Sequence, residues 1–283
     1  MKLNNKTAEF FIPNKTVVLE AIKKTTHMAI GAHQDDVEIM AYDGILKCYK
    51  KEGLSFTGVI VTNGAGSARD GEYKNYTDKE MQAVRKEEQK KASEIGEFGA
   101  LVLLDYPSSD TKDSSNELIV NELAELIKLA NPDILYTHNL ADKHDTHIGV
   151  VTKVIKAIRS LDLSERPNKL YGCEVWRDLD WMVDSEKVIF DVSGNPDLAL
   201  NLVNVFESQI AGGKRYDLAT IGRRLSNATF SSSHTIDETD AIIYAMDLTP
   251  LIINDNLDII HYVTSHIGRF ANGVSEKIQK VSK

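Results

Sequence analysis

MAIGAHQDDVE, residues 28–38, is the stretch of the sequence from which the fold can be read. A short apolar run ends in small residues, and His33, Asp35 and Asp36 follow directly. The run predicts a buried strand, and open α/β sheets bind ligands just past the carboxyl ends of their strands. We therefore expect the chemistry of the protein at this loop.

These three polar side chains can provide metal ligands and a base. Imidazole nitrogen and carboxylate oxygen both bind zinc, and a catalytic zinc takes three protein ligands and keeps one open position. His33 and Asp36 can be two of the three, while Asp35 can take a proton from the metal-bound water. The pattern predicts that the adjacent aspartates divide into a ligand and a base.

A second histidine-rich stretch, ILYTHNLADKHDTH at residues 134–147, can provide the third ligand. Its apolar beginning predicts another strand, and His138, His144 and His147 follow. Residues three apart lie on the same side of a helical turn, which groups His144 with His147. One of the two can bind the metal, and the other can donate a hydrogen bond to a developing oxyanion.

GAHQDDVEI resembles the A-H-P-D-D-x-E signature of the LmbE-like (PIG-L) family of zinc-dependent N-deacetylases, and the second stretch resembles the D-x-H-x-D-H loop of that family. The metal ligands that this resemblance implies are His33, Asp36 and His147. The implied general base is Asp35, and the implied side chain that stabilises the tetrahedral oxyanion is His144.

Two positions depart from the family pattern. Gln34 replaces the usual proline, and we expect this change to alter only the stiffness of the turn. Thr146 stands where the family has an aspartate before the last histidine. The partner of His144 must therefore differ, and Asp142 and Asp145 are the candidates for this supporting role.

Candidate substrate contacts come from two further resemblances. TNGAGSARDGEY, residues 62–73, is similar to a T-x-G-x-x-G loop at the rim of the family's site, and Arg69 in it can reach a substrate. FESQIAGGKRY, residues 206–216, is similar to S-Q segments near the family's sugar site, which indicates Gln209 and Arg215. Solvated loop charges and a capped helix are the alternative interpretation of these three residues.

Several other residues have a structural interpretation at this point. Arg85 and Glu88 match an R-x-x-E pattern that the family often shows, and we interpret them as an ordinary helical ion pair. Glu38 either interacts with a helix dipole or supports the metal loop. Trp176 and Trp181 are interpreted as aromatic residues of the core or of the rim.

Strands alternate with helices along the chain, which predicts a Rossmann-like, doubly wound and mostly parallel sheet. Within a single LmbE-like domain 1–283, the Rossmann-like part is predicted over 16–165, and 166–283 form a cap-like extension that completes the site. One helix is predicted over 37–51, and another over 255–271 with an apolar face turned inward. The residues predicted on this inward face are Ile260, Val263, Ile267 and Phe270.

Composition excludes some classes of partner. The chain has 283 residues, 42% hydrophobic and 27% charged, and a formal net charge of −9 without a separate basic block, which argues against nucleic acid. No stretch has the roughly 18 consecutive apolar residues of a membrane span. Cys48 and Cys173 are predicted to be buried thiols. We expect a soluble, cytoplasmic protein.

The residues predict a metal-dependent hydrolase, and the resemblance implies a zinc enzyme that removes the N-acetyl group of an N-acetylglucosamine-type sugar or glycoconjugate. The expected cofactor is Zn²⁺, although iron or cobalt can occupy such a ligand set. Two alternatives stay open: a zinc hydrolase of another acyl conjugate, such as a carbohydrate esterase or amidase, and a non-catalytic carbohydrate-binding protein. The expected partner is a small amino sugar, and the oligomeric state is left open, a homo-oligomer included.

Overall fold

The computed structural model describes residues 1–282, and Lys283, the last residue of the predicted domain, lies outside them. The strands are β1 (Glu9–Phe11), β2 (His27–Gly31), β3 (Phe56–Thr62), β4 (Ala100–Tyr106), β5 (Ile134–His138), β6 (Lys169–Cys173), β7 (Lys187–Asp191) and β8 (Ile242–Asp247). The helices are α1 (Val18–Lys23), α2 (Asp36–Met40), α3 (Tyr42–Cys48), α4 (Asp78–Ile95), α5 (Ser108–Lys112), α6 (Glu117–Ala130), α7 (Asp145–Arg159), α8 (Pro196–Asn204), α9 (Glu207–Ala211), α10 (Tyr216–Phe230), α11 (Thr249–Ile253) and α12 (Ile259–Val281).

All eight strands form one sheet in the order β1-β4-β3-β2-β5-β6-β8-β7. The five strands from β4 to β6 are parallel to their neighbours, while β1 and β8 pair antiparallel at the two sides. This arrangement confirms the predicted mostly parallel α/β fold. The chain order reverses between β2 and β5, which is the switch point where doubly wound sheets bind ligands. Both histidine motifs follow these two strands.

The two faces of the sheet are covered by different helices. Alternation along β2 sends Met28 and Ile30 to one face, where they join the apolar cluster that includes residues of α1, α6 and α7. Ala29 faces the other side, where residues of α2, α3 and α8 pack. Burial on both faces explains why β2 and β3 are apolar runs without alternation.

The helix predicted over 37–51 is wrong in one respect, because it is divided into α2 and α3 at Ala41. The backbone of Ala41 has φ −112° and ψ 24°, which ends the first helix. The turn brings Tyr42 inward, where its hydroxyl donates a hydrogen bond to the carbonyl oxygen of Asn195 at 2.6 Å. Tertiary packing thus determines where this helix is interrupted, and the periodicity of the apolar residues does not show the interruption.

The last helix also differs from its prediction. It extends from Ile259 to Val281, and Val263 packs against the core as expected. Ile260, Ile267 and Phe270 were predicted to face inward, yet they are 72%, 44% and 38% exposed. Periodicity identifies the apolar face of a helix but does not say which surface covers it.

The predicted division near residue 165 falls between α7 and β6, and the sheet is continuous across it. The C-terminal part adds β6, β8 and β7 to the sheet. Cys48 and Cys173 are buried free thiols, as predicted. Among residues 1–282, no helix combines the length and apolar character needed to cross a membrane.

Candidate metal centre and active site

The loop between β2 and α2 turns within very little space. A Cβ atom added to Gly31 would lie 3.1 Å from both Asp36 Cβ and Val37 Cγ2, so a side chain there would force these neighbours to shift. Asp35 has φ +97°, a conformation that costs a non-glycine residue about 1–3 kcal/mol. The surrounding contacts must hold this strained turn in place.

Three potential ligand atoms converge where this loop meets the start of α7. Asp36 Oδ2 lies 3.2 Å from His33 Nδ1 and 3.4 Å from His147 Nε2. The two imidazole nitrogens are 3.2 Å apart. Bond lengths of 2.0–2.1 Å around tetrahedral zinc place ligand atoms roughly 3.3 Å from one another. The donor set and its spacing therefore fit a tetrahedral divalent metal with one position left open.

His138 packs against the residues that provide these three ligand atoms. Its Nε2 accepts the backbone N–H of Ala32 at 2.9 Å, and its ring stacks on His147 with centroids 3.9 Å apart. Burial opposes the ionisation of Asp36, but the imidazoles of His147 and His138 hold its pKa well below the usual range. His138 had no role in the sequence interpretation, and its position at the end of β5 was the signal that pointed to one.

Asp142 fixes the second histidine loop. Its Oδ2 lies 3.3 Å from His147 Nδ1 and accepts the backbone N–H of Trp176 at 3.2 Å. Its Oδ1 accepts the backbone N–H of His144 at 3.1 Å. The side chain of Asp145 is exposed in the first turn of α7. Of the two candidates for a supporting role, Asp142 is the one that lies inside the site.

His144 is the N-cap residue of α7 and faces the ligand cluster. Its Nδ1 accepts the backbone N–H of Thr146 at 3.3 Å, so the proton of the neutral ring resides on Nε2. Burial lowers the pKa of His144, and the nearby His33 and His147 add to this effect. In this structure a backbone N–H, and not a carboxylate, contacts Nδ1 of His144.

Asp35 belongs to a buried ion-pair network. Arg85 Nη2 lies 2.7 Å from Asp35 Oδ2, and Arg85 Nη1 lies 3.0 Å from Glu88 Oε2. Glu88 in turn accepts the N–H and the hydroxyl of Ser208 at 2.7 and 2.8 Å. The interpretation of Arg85 and Glu88 as an ordinary helical pair is too simple, since Arg85 is only 1% exposed and also holds Asp35. Burial raises the pKa of Asp35 to about 6, against the attraction of Arg85.

Glu38 supports the loop through a second chain of hydrogen bonds. Gln89 donates from Nε2 to Glu38 Oε1 at 2.7 Å, and its Oε1 accepts the backbone N–H of Asp35 at 3.2 Å. Glu38 is fully buried, and burial raises its pKa to about 8. The structure therefore favours the supporting role over a solvent-exposed interaction with a helix dipole.

Gln34 does more than change the stiffness of the turn. Its side chain is buried and donates from Nε2 to the carbonyl oxygen of Thr62 at 3.0 Å. The backbone carbonyl oxygen of Gln34 accepts a hydrogen bond from Arg85. The residue that replaces proline thereby joins the ligand loop to the end of β3.

A cleft of about 240 Å³ opens above the two aspartates. Trp176 in its wall is 37% exposed and meets the ring of Tyr216 edge-on, with centroids 6.2 Å apart. Lys214 Nζ lies 5.0 Å from the centroid of the indole ring. The residues that line the cleft are Asp35, Asp36, Ile39, Val175, Trp176, Tyr216, Ala219, Thr220 and Arg223. Trp176 follows β6, so it lies at the sheet edge that the two motifs already indicated.

The three predicted substrate contacts lie outside this lining. Arg69 pairs with Asp78 at 2.6 Å, and Arg215 pairs with Asp217 at 2.7 Å. Gln209 is buried. Their role in substrate binding stays a prediction, and sequence reasoning missed the aromatic and basic residues that line the cleft.

The fold and this cluster define a class: a doubly wound α/β protein with a His/Asp site of metal-binding type at the switch point of its sheet. Residues 28–158 match the PIG-L family, described as GlcNAc-PI de-N-acetylase. The matched residues include both histidine motifs, which confirms their resemblance to that family. No curated protein matches the sequence.

Solved structures share the fold at low sequence identity. The N,N'-diacetylchitobiose deacetylase of Pyrococcus horikoshii is 15% identical with a TM-score of 0.64, and the match covers 81% of this chain and 86% of that one. The conserved protein TT1542 of Thermus thermophilus is 17% identical with a TM-score of 0.61, over 80% and 95% of the two chains. The 4-carboxy-2-hydroxymuconate hydratase of Pseudomonas putida is 16% identical with a TM-score of 0.61, over 79% and 96%. One fold thus carries different reactions, and the activity must be argued from the site.

Proposed function

We propose that the protein is a metal-dependent N-deacetylase of an N-acetylglucosamine-type sugar or glycoconjugate. The observation that carries this proposal is the triangle of His33 Nδ1, Asp36 Oδ2 and His147 Nε2, with no separation above 3.4 Å, beside the buried carboxylate of Asp35. The match of residues 28–158 to the PIG-L family supports the same reaction. The proposed cofactor is zinc, which suits two imidazoles and one carboxylate.

His33, Asp36 and His147 are the residues that would hold the metal. When bound, a divalent metal lowers the pKa of a water ligand and polarises an acyl carbonyl. Asp35 would accept the proton of the attacking water on a carboxylate oxygen and pass it to the nitrogen of the leaving amine. A pKa of about 6 suits both steps, because the carboxylate is mostly ionised near neutral pH and still basic enough to take the proton.

His144 would stabilise the carbonyl oxygen as it gains negative charge. The hydrogen bond from Thr146 N–H to Nδ1 leaves the proton of the neutral ring on Nε2. A donor fixed in advance costs no reorganisation when charge develops, which is the usual advantage of an oxyanion hole. Thr146 is therefore compatible with catalysis, since His144 needs only a fixed Nε2–H.

The cleft would bind the sugar. The exposed face of Trp176 offers an apolar surface to the C–H groups of a pyranose ring, and Tyr216 closes one side. Arg223 lines the same cleft, and Lys214 lies over the indole of Trp176, so both cations could donate hydrogen bonds to sugar oxygens. We therefore propose this cleft as the binding site of the predicted small-molecule substrate.

The remaining assignments are also proposals. The continuous sheet supports one domain over residues 1–283, with the C-terminal part completing the site. The two free thiols support a reducing compartment such as the cytoplasm.

The test is release of acetate and primary amine from a panel of N-acetylglucosamine conjugates. Protein stripped of metal and reloaded with zinc should release both products in equal amounts, and the stripped protein should release neither. An O-acetyl ester and an N-acyl amino acid belong to the same panel. Turnover of either compound in the absence of sugar deacetylation would replace the proposal with an esterase or amidase. Silence across the panel with one zinc bound per chain would favour a binding protein.

A further inference from the structure

The helix α12 is attached to the body of the protein by its first half only. Tyr262 and Val263 pack against the core, and His266 Nδ1 lies 2.7 Å from Glu186 Oε2. Arg269 also pairs with Glu186. From residue 270 to 281 the helix has no buried residue. Packing against the body therefore does not explain why the second half of the helix carries apolar side chains.

A regular apolar stripe runs along the whole of α12 on the side that faces solvent. Its members follow one another in alternating steps of four and three residues: Ile260, Thr264, Ile267, Ala271, Val274, Ile278 and Val281. All seven are exposed, and the five aliphatic side chains other than alanine are between 41% and 82% exposed. We call these seven residues the α12 stripe.

The spacing of the α12 stripe specifies what covers it. Alternating steps of four and three average 3.5 residues per turn, which is the repeat of two helices packed side by side in a left-handed coiled coil. A helix that lies on a membrane carries instead a wide apolar face bordered by Lys and Arg. One border of the stripe is small and polar, with Gly268 and Ser275, and the other has Val263, Phe270 and Lys277. A single charge at these borders leaves nothing that repels an identical helix.

We propose that two copies of this chain associate through their α12 stripes. A two-fold axis lets the same stripe act on both sides, as in most homodimers. Covering the exposed side chains of both stripes would bury on the order of 1,000 Å² in total, which is about the minimum expected of a biological interface. Residues 270–281 of α12 have no buried residue, so the second half of the stripe lies clear of the body of its own chain.

Sedimentation equilibrium of the full chain tests the pairing. The intact protein should have twice the 31.5 kDa mass of one chain at micromolar concentration. The double variant Ile267→Glu/Val274→Glu places two carboxylates in the stripe and should sediment as a monomer. Its far-ultraviolet circular dichroism spectrum and any deacetylase activity should be unchanged, because both positions are exposed and neither lines the cleft. Leu163→Glu is the matched control, since Leu163 is 68% exposed outside the stripe and its variant should remain dimeric.

Three results would overturn the pairing. They are a monomeric intact protein, a double variant that stays dimeric while folded, and a monomer that instead sediments with vesicles containing anionic lipid. The last result would assign the α12 stripe to a membrane surface. None of these outcomes depends on the proposed deacetylase activity.

Discussion

The two sides of the active site are built in different ways. On the ligand side, the side chains of Asp36 and His147 are 2% and 0% exposed. On the cleft side, Trp176 is 37% exposed, and the long side chain of Arg223 is only partly buried. The ligand side follows β2 and β5 at the centre of the sheet, whereas the cleft side comes from the end of β6 and from α10. We interpret the difference as a rigid, buried centre that would perform the proposed chemistry and a more adaptable wall that would select the substrate.

Replacing Asp35 should have the largest effect, because it removes the base from the rigid centre. Asp35→Asn keeps the size of the side chain and should lower kcat by about 10²- to 10⁴-fold, the usual contribution of a general base. Zinc content, measured by atomic emission, should stay at the wild-type level. Asp145→Asn in the exposed first turn of α7 is the control. A near-native rate for the Asp35 variant would remove this carboxylate from the mechanism.

Replacing Asp142 should weaken metal binding without removing a ligand. Asp142→Asn takes the negative charge away from a position 3.3 Å from His147 Nδ1. Loss of such a partner typically costs about 10- to 100-fold in metal affinity. A competition titration against a chromophoric chelator measures the change. Unchanged affinity would show that the stacked ring of His138 alone is enough to orient His147.

The cleft side should respond in KM and not in kcat. Trp176→Ala removes the exposed aromatic face and should raise KM for a sugar substrate about tenfold, equivalent to about 1.4 kcal/mol of binding. Trp176→Phe should recover most of the loss, because an aromatic face remains. Steady-state kinetics on the preferred conjugate separates the two constants. A fall in kcat with constant KM would mean that Trp176 belongs to the rigid centre.

Arg215 should give the smallest effect. It is exposed and pairs with Asp217, so Arg215→Ala should change kcat/KM by no more than about twofold, as exposed ion pairs contribute little. The matched variant Arg223→Ala, inside the cleft, should change it more. If Arg215→Ala is the more damaging variant, the substrate extends beyond the cleft and the prediction made from the S-Q segment is right.

The comparison also explains which parts of the site could be predicted from sequence. His33, Asp35 and Asp36 lie within one turn, and His144 and His147 lie within another, so local spacing was sufficient. The topology that brings these two turns together follows from the alternation of strands and helices.

The remainder depends on contacts between distant parts of the chain. Arg85 reaches Asp35 across 50 residues, and Ser208 reaches Glu88 across 120. No local pattern encodes such pairs, since each partner alone looks like an ordinary helix or loop residue. For α12, the sequence shows the period of the apolar residues but does not show which surface these residues contact.

The most direct test of the central claim is the absorption spectrum of the cobalt-loaded protein, because cobalt can replace zinc in such a site and reports its ligands. We expect one Co²⁺ per chain with the intense visible bands of tetrahedral coordination. These bands should be lost or strongly reduced in Asp36→Asn and in His147→Ala. The control His266→Ala removes a histidine that contacts Glu186 and Tyr262 and should keep them. Wild-type bands in both ligand variants would contradict the proposed metal centre.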